Sequence, residues 1–265
     1  MIKLVVNADD FGIAENQTEA ILESFRRGII SSTTIMVTMP DFQRAVVRAK
    51  EEKVFDKIGL HLNFTEGCPI TNSLRKCQRF CNIDGTFNAN FHNSKLSRLL
   101  LTSQERHAVA EEAEAQMKVY VATGFPLMHL DSHHHSHTDP SITRIVLPIA
   151  KRLGFRSVRL SRNIPRPGYG VTKKLYKTLF NHFARYQGFV CTRYFGSVED
   201  FDNVITILPQ DCTVELMVHP CFRKGRIFDM SGDLMDMYVP MTLVEDVLRR
   251  HRQKYHLMPY GEITR

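Results

Sequence analysis

The segment "LMHLDSHHHSHTDPSITRIVLPIAKRLG", Leu127 to Gly154, holds one complete strand-then-helix unit of this 265-residue chain. Its apolar start predicts a short buried strand, and the run from Pro140 predicts an amphipathic helix. Asp139 stands at the N-cap position, Pro140 at the first helical position, and Gly154 where the helix should stop. Five of the twelve histidines lie within His129–His137, inside the chain, so they are not a purification tag. The unit therefore presents a histidine cluster where its strand ends.

The same pattern repeats along the chain. Seven apolar runs of strand length alternate with longer amphipathic runs: "IKLVV", "STTIMVT", "KIGLHLNF", "LMHLD", "SVRLS", "TRYFG" and "TVELMVH". This alternation predicts an α/β protein with a parallel sheet, and about seven βα units predict closure of that sheet into a barrel. We expect a single domain over residues 1–265, with a polar insertion at about 65–101 that covers one face or makes a subunit contact.

Composition and charge exclude several classes of protein. The net charge is +7, but the basic residues are scattered and no nucleic-acid motif is present, so we expect a solvated basic surface and no nucleic-acid partner. The first apolar run is too short for a signal peptide, and no segment has the length of a membrane span. We therefore expect a cytoplasmic protein with reduced cysteines, and leave open whether it forms a homo-oligomer.

Charged and histidine side chains stand at or near the carboxyl ends of the predicted strands. They are Asp9 and Asp10 in the first strand, His61 in the third, Asp131 with His133–His135 in the fourth, Arg159 in the fifth and His219 in the seventh. Each one alone is equally well explained as a helix cap or a hydrogen-bonded core residue. In a parallel barrel, however, these strand ends meet at one rim, and their joint placement there favours a functional site.

Metal-assisted hydrolysis is the chemistry that such a set serves. Two imidazoles and one carboxylate leave coordination positions open, as in a catalytic metal site. A second carboxylate can act as a base, and a histidine across the rim can protonate a leaving group. Two other interpretations stay open. One is a barrel phosphoesterase with a second ion on His135 and His137, and the other is a basic binding module without enzymatic activity.

Four segments carry a resemblance to a known family. "VNADDFG" (6–12), "GLHLN" (59–63), "HLDSHHHSH" (129–137) and "ELMVHP" (215–220) together resemble the YdjC/ChbG family of carbohydrate deacetylases. They follow the family's order over nearly the whole chain. The resemblance implies a distorted (β/α) barrel that hydrolyses the linear amide of N-acetylated sugars, such as chitobiose-type oligosaccharides, with a divalent metal ion.

The resemblance also implies roles for individual residues. It makes Asp10, His61 and His133 the metal ligands and Asp9 the general base. His219 is similar in position to the acid histidine of the wider polysaccharide deacetylase group. This chain continues "HPCF" after that histidine, where the family often has "HPG". Two histidines and one aspartate suit zinc, while magnesium, manganese and cobalt stay open.

Several orientations remain open from the sequence. Strand alternation would point His133 and His135 to the same side, so His135 is the alternative ligand. We expect Asp131 to orient one of the histidines, and Arg159 to orient Asp9 or bind substrate. Adjacent aspartates on a strand face opposite ways unless the backbone turns, and "DDFG" with its glycine predicts such a turn.

Overall fold

Seven parallel strands form the centre of the structure, a computed structural model that describes residues 1–165, 170–230 and 238–263, without the side chains of 171–173. The strands are β1 (Ile2–Phe11), β2 (Ser32–Ile35), β3 (Ile58–Leu62), β4 (His129–Ser132), β5 (Ser157–Val158), β6 (Tyr194–Ser197) and β7 (Thr213–Val218). All seven coincide with the apolar runs of the sequence. Most of their residues are buried, as expected for strands covered on both faces.

The order of the strands makes this sheet a distorted barrel. They pair in the order β5-β4-β3-β2-β1-β7-β6, so consecutive strands of the chain lie side by side, except that β5 and β6 form the two edges. Between β5 and β6 the described residues form no regular ladder. An isolated bridge joins Ser157 to Val190, and the Asn163 amide donates to the Phe195 carbonyl at 3.0 Å. The predicted α/β barrel is confirmed, with an irregular seam between these two strands.

Ten helices surround the sheet within the described ranges. They are α1 (Glu15–Arg26), α2 (Phe42–Glu51), α3 (Asn72–Arg75), α4 (Asn90–Asn93), α5 (Lys95–Leu99), α6 (Ser103–Ala122), α7 (Pro140–Arg152), α8 (Val171–Tyr186), α9 (Val198–Val204) and α10 (Met241–Arg250). Helix α7 begins at Pro140 and ends before Gly154, as its sequence predicts. No helix in this part of the chain is both long and apolar enough to pass through a bilayer.

The chain after β7 departs from the sequence prediction. A small antiparallel sheet of β8 (Pro220–Arg223), β9 (Arg226–Asp229) and β10 (Val239–Pro240) follows β7 directly. The amphipathic run "TLVEDVLRRHRQKY" (242–255) predicts a helix along its whole length, but α10 ends at Arg250. The chain then forms β11 (Tyr255–Leu257), which pairs in parallel with the start of β1. The helical pattern of the sequence therefore extends beyond the helix itself. Pairing of β11 with β1 determines the conformation of the segment that follows α10.

The insertion between β3 and α6 is more ordered than its polar composition indicates. It contains α3, α4 and α5, and it buries its own aromatic pair, Phe80 and Phe91, whose ring centroids lie 4.6 Å apart. It also brings Glu66 to His133 and His92 to His134 at the end of β4. The insertion thus lies against the carboxyl ends of the strands.

Candidate metal centre

Three donor atoms from three separate strand ends converge at one rim of the sheet. Asp10 Oδ1 lies 2.8 Å from His133 Nδ1 and 3.2 Å from His61 Nε2. All three residues are buried. Ligands at about 2.1 Å from one ion stand about 3 Å apart when they subtend a right angle. This Asp/His cluster is compatible with a divalent metal ion, and it unites the three residues for which the family resemblance implies ligation.

A turn at the end of β1 brings both aspartates into the site. Asp10 has a left-handed backbone, with φ of 69°, and the register of β1 against β2 shifts between Ala8 and Phe11. Aspartate tolerates this conformation better than most residues. Because of the turn, Asp9 and Asp10 do not alternate across the sheet. The predicted turn therefore lies at Asp10 as well as at Gly12, whose φ is 84°.

The histidine triplet does not continue β4. The strand ends at Ser132, and His133–Thr138 forms a kinked 3-10 turn in which His134 and His135 have φ of 51° and 54°. The expectation of strand alternation through these residues is wrong, because the backbone curls before the second histidine. His134 Nδ1 lies 3.1 Å from Thr65 Oγ1, and the His135 ring packs edge-on against Phe195. Among the described residues, neither joins a group of three possible ligands.

Asp131 contacts His61 rather than His133. In the register of the sheet, His61 lies opposite Asp131, and Asp131 Oδ1 is 2.7 Å from His61 Nδ1. Thr34 Oγ1 donates to the other Asp131 oxygen at 3.1 Å. A proton held on His61 Nδ1 leaves the lone pair of Nε2 directed to Asp10 and the centre of the cluster.

Arg159 binds Asp9 through the two terminal nitrogens of its guanidinium group. Its Nη1 and Nη2 each donate to an Asp9 oxygen at 2.6 Å, and Nη1 also contacts Asp131 at 2.8 Å. Its Nε donates to Glu215 Oε1 at 2.5 Å. All four side chains are buried, so these charges compensate one another away from water. Such a bidentate arrangement orients the Asp9 carboxylate strongly.

His219 completes the set of residues selected from the sequence. Its Nε2 lies 3.7 Å from Asp9 Oδ2, and its backbone N–H donates to Asp229 Oδ1 at 2.7 Å. Its side chain is 21% exposed, whereas Asp9 is almost fully buried. The structure therefore brings all the residues selected from the sequence to one rim, with His135 beside the cluster of donor atoms rather than in it.

Negative charge dominates the electrostatics of the site. Burial lowers the pKa of His61, but Asp131 and Asp10 raise it to about 10, and Asp10 and Glu66 likewise raise the pKa of His133 to about 9 despite burial. Burial raises the pKa of Asp10, but His133 and His61 hold that pKa well below its usual value. The cluster thus attracts positive charge, which protons or a divalent cation can supply.

Three acidic residues of the site were not selected from the sequence. Glu66 contacts His133 Nε2 at 3.0 Å, Glu215 contacts Arg159, and Asp229 contacts His219. Glu215 lies inside the quoted motif "ELMVHP", so its position was a usable signal. Glu66 follows the "GLHLN" motif by three residues, while Asp229 reaches the site only through the β8–β9 hairpin.

The described residues do not favour a second ion on His135 and His137. Both ring nitrogens of His137 have partners, Ser132 Oγ at 2.6 Å and the Arg159 carbonyl at 3.1 Å. A second group of possible ligands exists, formed by Asp9, His61 and Asp131. It shares His61 with the first group, and both of its carboxylates already bind Arg159.

The fold and donor set together define a (β/α)-barrel protein with a centre of two histidines and one carboxylate. A family model described as YdjC-like protein matches residues 3–253, and the chain belongs to this family. The membership inferred from the four motifs is confirmed.

Named relatives agree with that membership, and a solved structure has the same fold. The chain is 37% identical over 231 residues to a carbohydrate deacetylase of Vibrio cholerae, covering 87% of this chain and 83% of the relative. It is 28% identical over 276 residues to a carbohydrate deacetylase of Brevibacillus brevis, covering 99% and 100%. The fold matches that of an Enterococcus faecalis V583 protein provisionally named for cellobiose-phosphate cleavage, with a TM-score of 0.70 at 21% identity over 99% of both chains.

Proposed function

We propose that the protein is a carbohydrate deacetylase that hydrolyses the acetamide group of N-acetylated sugars with the help of a divalent metal ion. One observation carries this proposal: Asp10 Oδ1 lies 3.2 Å from His61 Nε2 and 2.8 Å from His133 Nδ1. Beside this cluster, Arg159 orients the carboxylate of Asp9. The carbohydrate deacetylases among the relatives support the choice of substrate.

In this proposal Asp10, His61 and His133 hold the ion. When bound, the ion supplies Lewis acidity, which lowers the pKa of water and stabilises negative charge on oxygen. Two neutral imidazoles and a carboxylate suit zinc, and they also accept magnesium, manganese or cobalt. Asp131 keeps His61 in the tautomer that ligates through Nε2.

Asp9 acts as the general base. It takes a proton from the attacking water, whose oxygen forms a bond to the acetamide carbonyl carbon. Arg159 holds both Asp9 oxygens at 2.6 Å, and Asn7 Nδ2 donates to one of them at 2.9 Å. These contacts fix the direction of the carboxylate and keep it ionised.

His219 acts as the general acid. As the C–N bond breaks, its imidazolium donates a proton to the departing sugar amine, and acetate is released. Its Nε2 lies 3.7 Å from Asp9 Oδ2, which is longer than a hydrogen bond, so the proton that Asp9 has taken returns to His219 through solvent. Each cycle then consumes one water molecule and yields acetate and a free amine.

Acetate release from diacetylchitobiose tests the proposal. We expect turnover that stops after treatment with a chelator and returns when a divalent ion is added. Phosphate release from model esters without acetate release would replace the proposal with a phosphoesterase. Salt-sensitive nucleic-acid binding without any turnover would favour a binding module.

A further inference from the structure

His133 contacts a carboxylate at each of its ring nitrogens. Asp10 Oδ1 lies 2.8 Å from Nδ1, and Glu66 Oε2 lies 3.0 Å from Nε2. Nδ1 faces the cluster of possible ligands, while Nε2 faces the insertion that follows β3. Because the two nitrogens lie at different corners of the ring, Glu66 does not compete with Asp10 for the same position.

The other histidine of the cluster repeats this arrangement. His61 directs Nε2 to Asp10 at 3.2 Å and places Nδ1 against Asp131 at 2.7 Å. In both imidazoles, therefore, the nitrogen turned away from Asp10 has a carboxylate partner. A carboxylate in this position fixes the tautomer of a ligating histidine and raises its basicity.

A buried polar network holds the backbone of Glu66 in place. Asn63 Oδ1 accepts from the backbone N–H groups of Thr65 and Glu66, each at 3.1 Å, and Asn63 Nδ2 donates to the Glu66 carbonyl at 2.6 Å. Gln116 of α6 pairs with the backbone of Asn63 through two hydrogen bonds, of 2.9 and 2.7 Å. Asn63 and Gln116 are fully buried, so this turn is rigidly attached to the barrel.

The Glu66 side chain itself is 45% exposed. A half-exposed side chain contributes little to core packing, so packing of the Glu66 side chain does not explain why the turn beneath it is held so rigidly. The turn places a single carboxylate on the outer nitrogen of His133 without burying it.

We infer that Glu66 is a positioning residue for the metal centre, an inference that rests on the proposed function. Glu66 accepts the Nε2–H of His133, which leaves the lone pair of Nδ1 for the ion. The insertion at 65–101 thereby completes the site, because without Glu66 the His133 ring is free to hold its proton on Nδ1. Glu66 acts through His133 and does not itself coordinate.

Metal affinity separates this role from a purely structural one. We would titrate the wild type, Glu66→Gln and Glu66→Ala with Zn²⁺ against a chromophoric chelator, and record Co²⁺ visible spectra. Glu66→Ala should bind Zn²⁺ about 10–100-fold more weakly, the usual effect of removing such a partner. Glu66→Gln should bind with intermediate affinity, because its amide oxygen still accepts the hydrogen bond. The metal-free variants should stay folded, and their thermal midpoints check this.

A matched control is available on α6. Glu111 pairs with His107 at 3.2 Å on the exposed surface, so Glu111→Gln removes a carboxylate from a histidine remote from the cluster. It should leave the affinity unchanged. Wild-type affinity in Glu66→Ala would overturn the positioning role, as would a Co²⁺ spectrum showing a lost oxygen ligand. A wild-type protein that binds no ion would instead refute the proposed function together with this inference.

Discussion

Replacing Asp9 by Asn tests the division of work between the two adjacent aspartates. Asn keeps the size of the side chain but cannot take a proton from water. Loss of a general base lowers turnover by roughly 10²–10⁴-fold, which corresponds to about 3–5 kcal/mol in the activation free energy. The effect should appear in kcat rather than in KM, because Asp9 does not hold the ion in this proposal.

The hydrogen bonds of Asp9 determine what the substitution costs in stability. Oδ1 accepts from both Asn7 and Arg159 Nη2, so the single oxygen of the substituted amide should take that position. The amide NH₂ then faces Arg159 Nη1, and one charged hydrogen bond is lost, which costs about 1.5–3 kcal/mol. Since proteins of this size lose roughly 2–4 °C per kcal/mol, the thermal midpoint should fall by several degrees while the protein stays folded at 25 °C.

The matched variant is Asp10→Asn, and both proteins need two measurements. Metal content per chain is determined after dialysis, and acetate release is followed with an excess of substrate. Asp9→Asn should keep the ion and lose turnover, whereas Asp10→Asn should weaken ion binding itself. If Asp9→Asn loses the ion and Asp10→Asn retains it, the two roles are reversed. If neither variant loses activity, the reaction takes place elsewhere.

Three further outcomes are expected. His61→Ala and His133→Ala should each abolish stoichiometric ion binding, whereas His135→Ala should retain it; mass spectrometry of the dialysed proteins would detect an ion that follows His135 instead. Neighbouring carboxylates raise the pKa of His61 to about 10 and that of His133 to about 9, so ion binding at pH 7 must displace protons. The affinity for the ion should therefore decrease as the pH is lowered. Calorimetry in buffers of different ionisation enthalpy measures that release, and zero release would contradict imidazole ligation. Burial raises the pKa of Glu215 from 4.5 to about 7 although Arg159 lowers it, so the folded state holds a proton that the unfolded chain loses. This group's contribution to the free energy of unfolding should therefore fall as pH rises from 4.5 to 7, and Glu215→Gln should flatten the denaturation profile there.

Much of the barrel could be predicted from the sequence because parallel strands and their covering helices carry local patterns. The seven apolar runs all became barrel strands, since each is long enough to pair and too short to be a helix. Pro140 and Gly154 delimited α7 correctly for the same reason. Strand ends of a parallel barrel meet at one rim whatever their distance in sequence, so the residues of the site could be grouped before any distance was known.

Local patterns did not predict how the backbone bends at that rim. The triplet His133–His135 has the composition of a strand end, yet two of its residues adopt left-handed φ angles, which removed His135 from the cluster of donors. The helical periodicity of the sequence also continues beyond Arg250, where α10 ends, because pairing of β11 with β1 overrides that periodicity. These outcomes depend on contacts between distant segments, which no local pattern encodes.

The sequence by itself determined the family, the barrel and the residues that reach one rim, because motifs and periodicity are properties of neighbouring residues. Only the tertiary structure decided which partner each group has. The register of β3 and β4 places Asp131 against His61. A turn held by Asn63 and Gln116 places Glu66 against His133. Partners of this kind are separated by tens of residues in the chain, and a hydrogen bond needs its atoms within about 3 Å, a precision that the packed fold alone supplies.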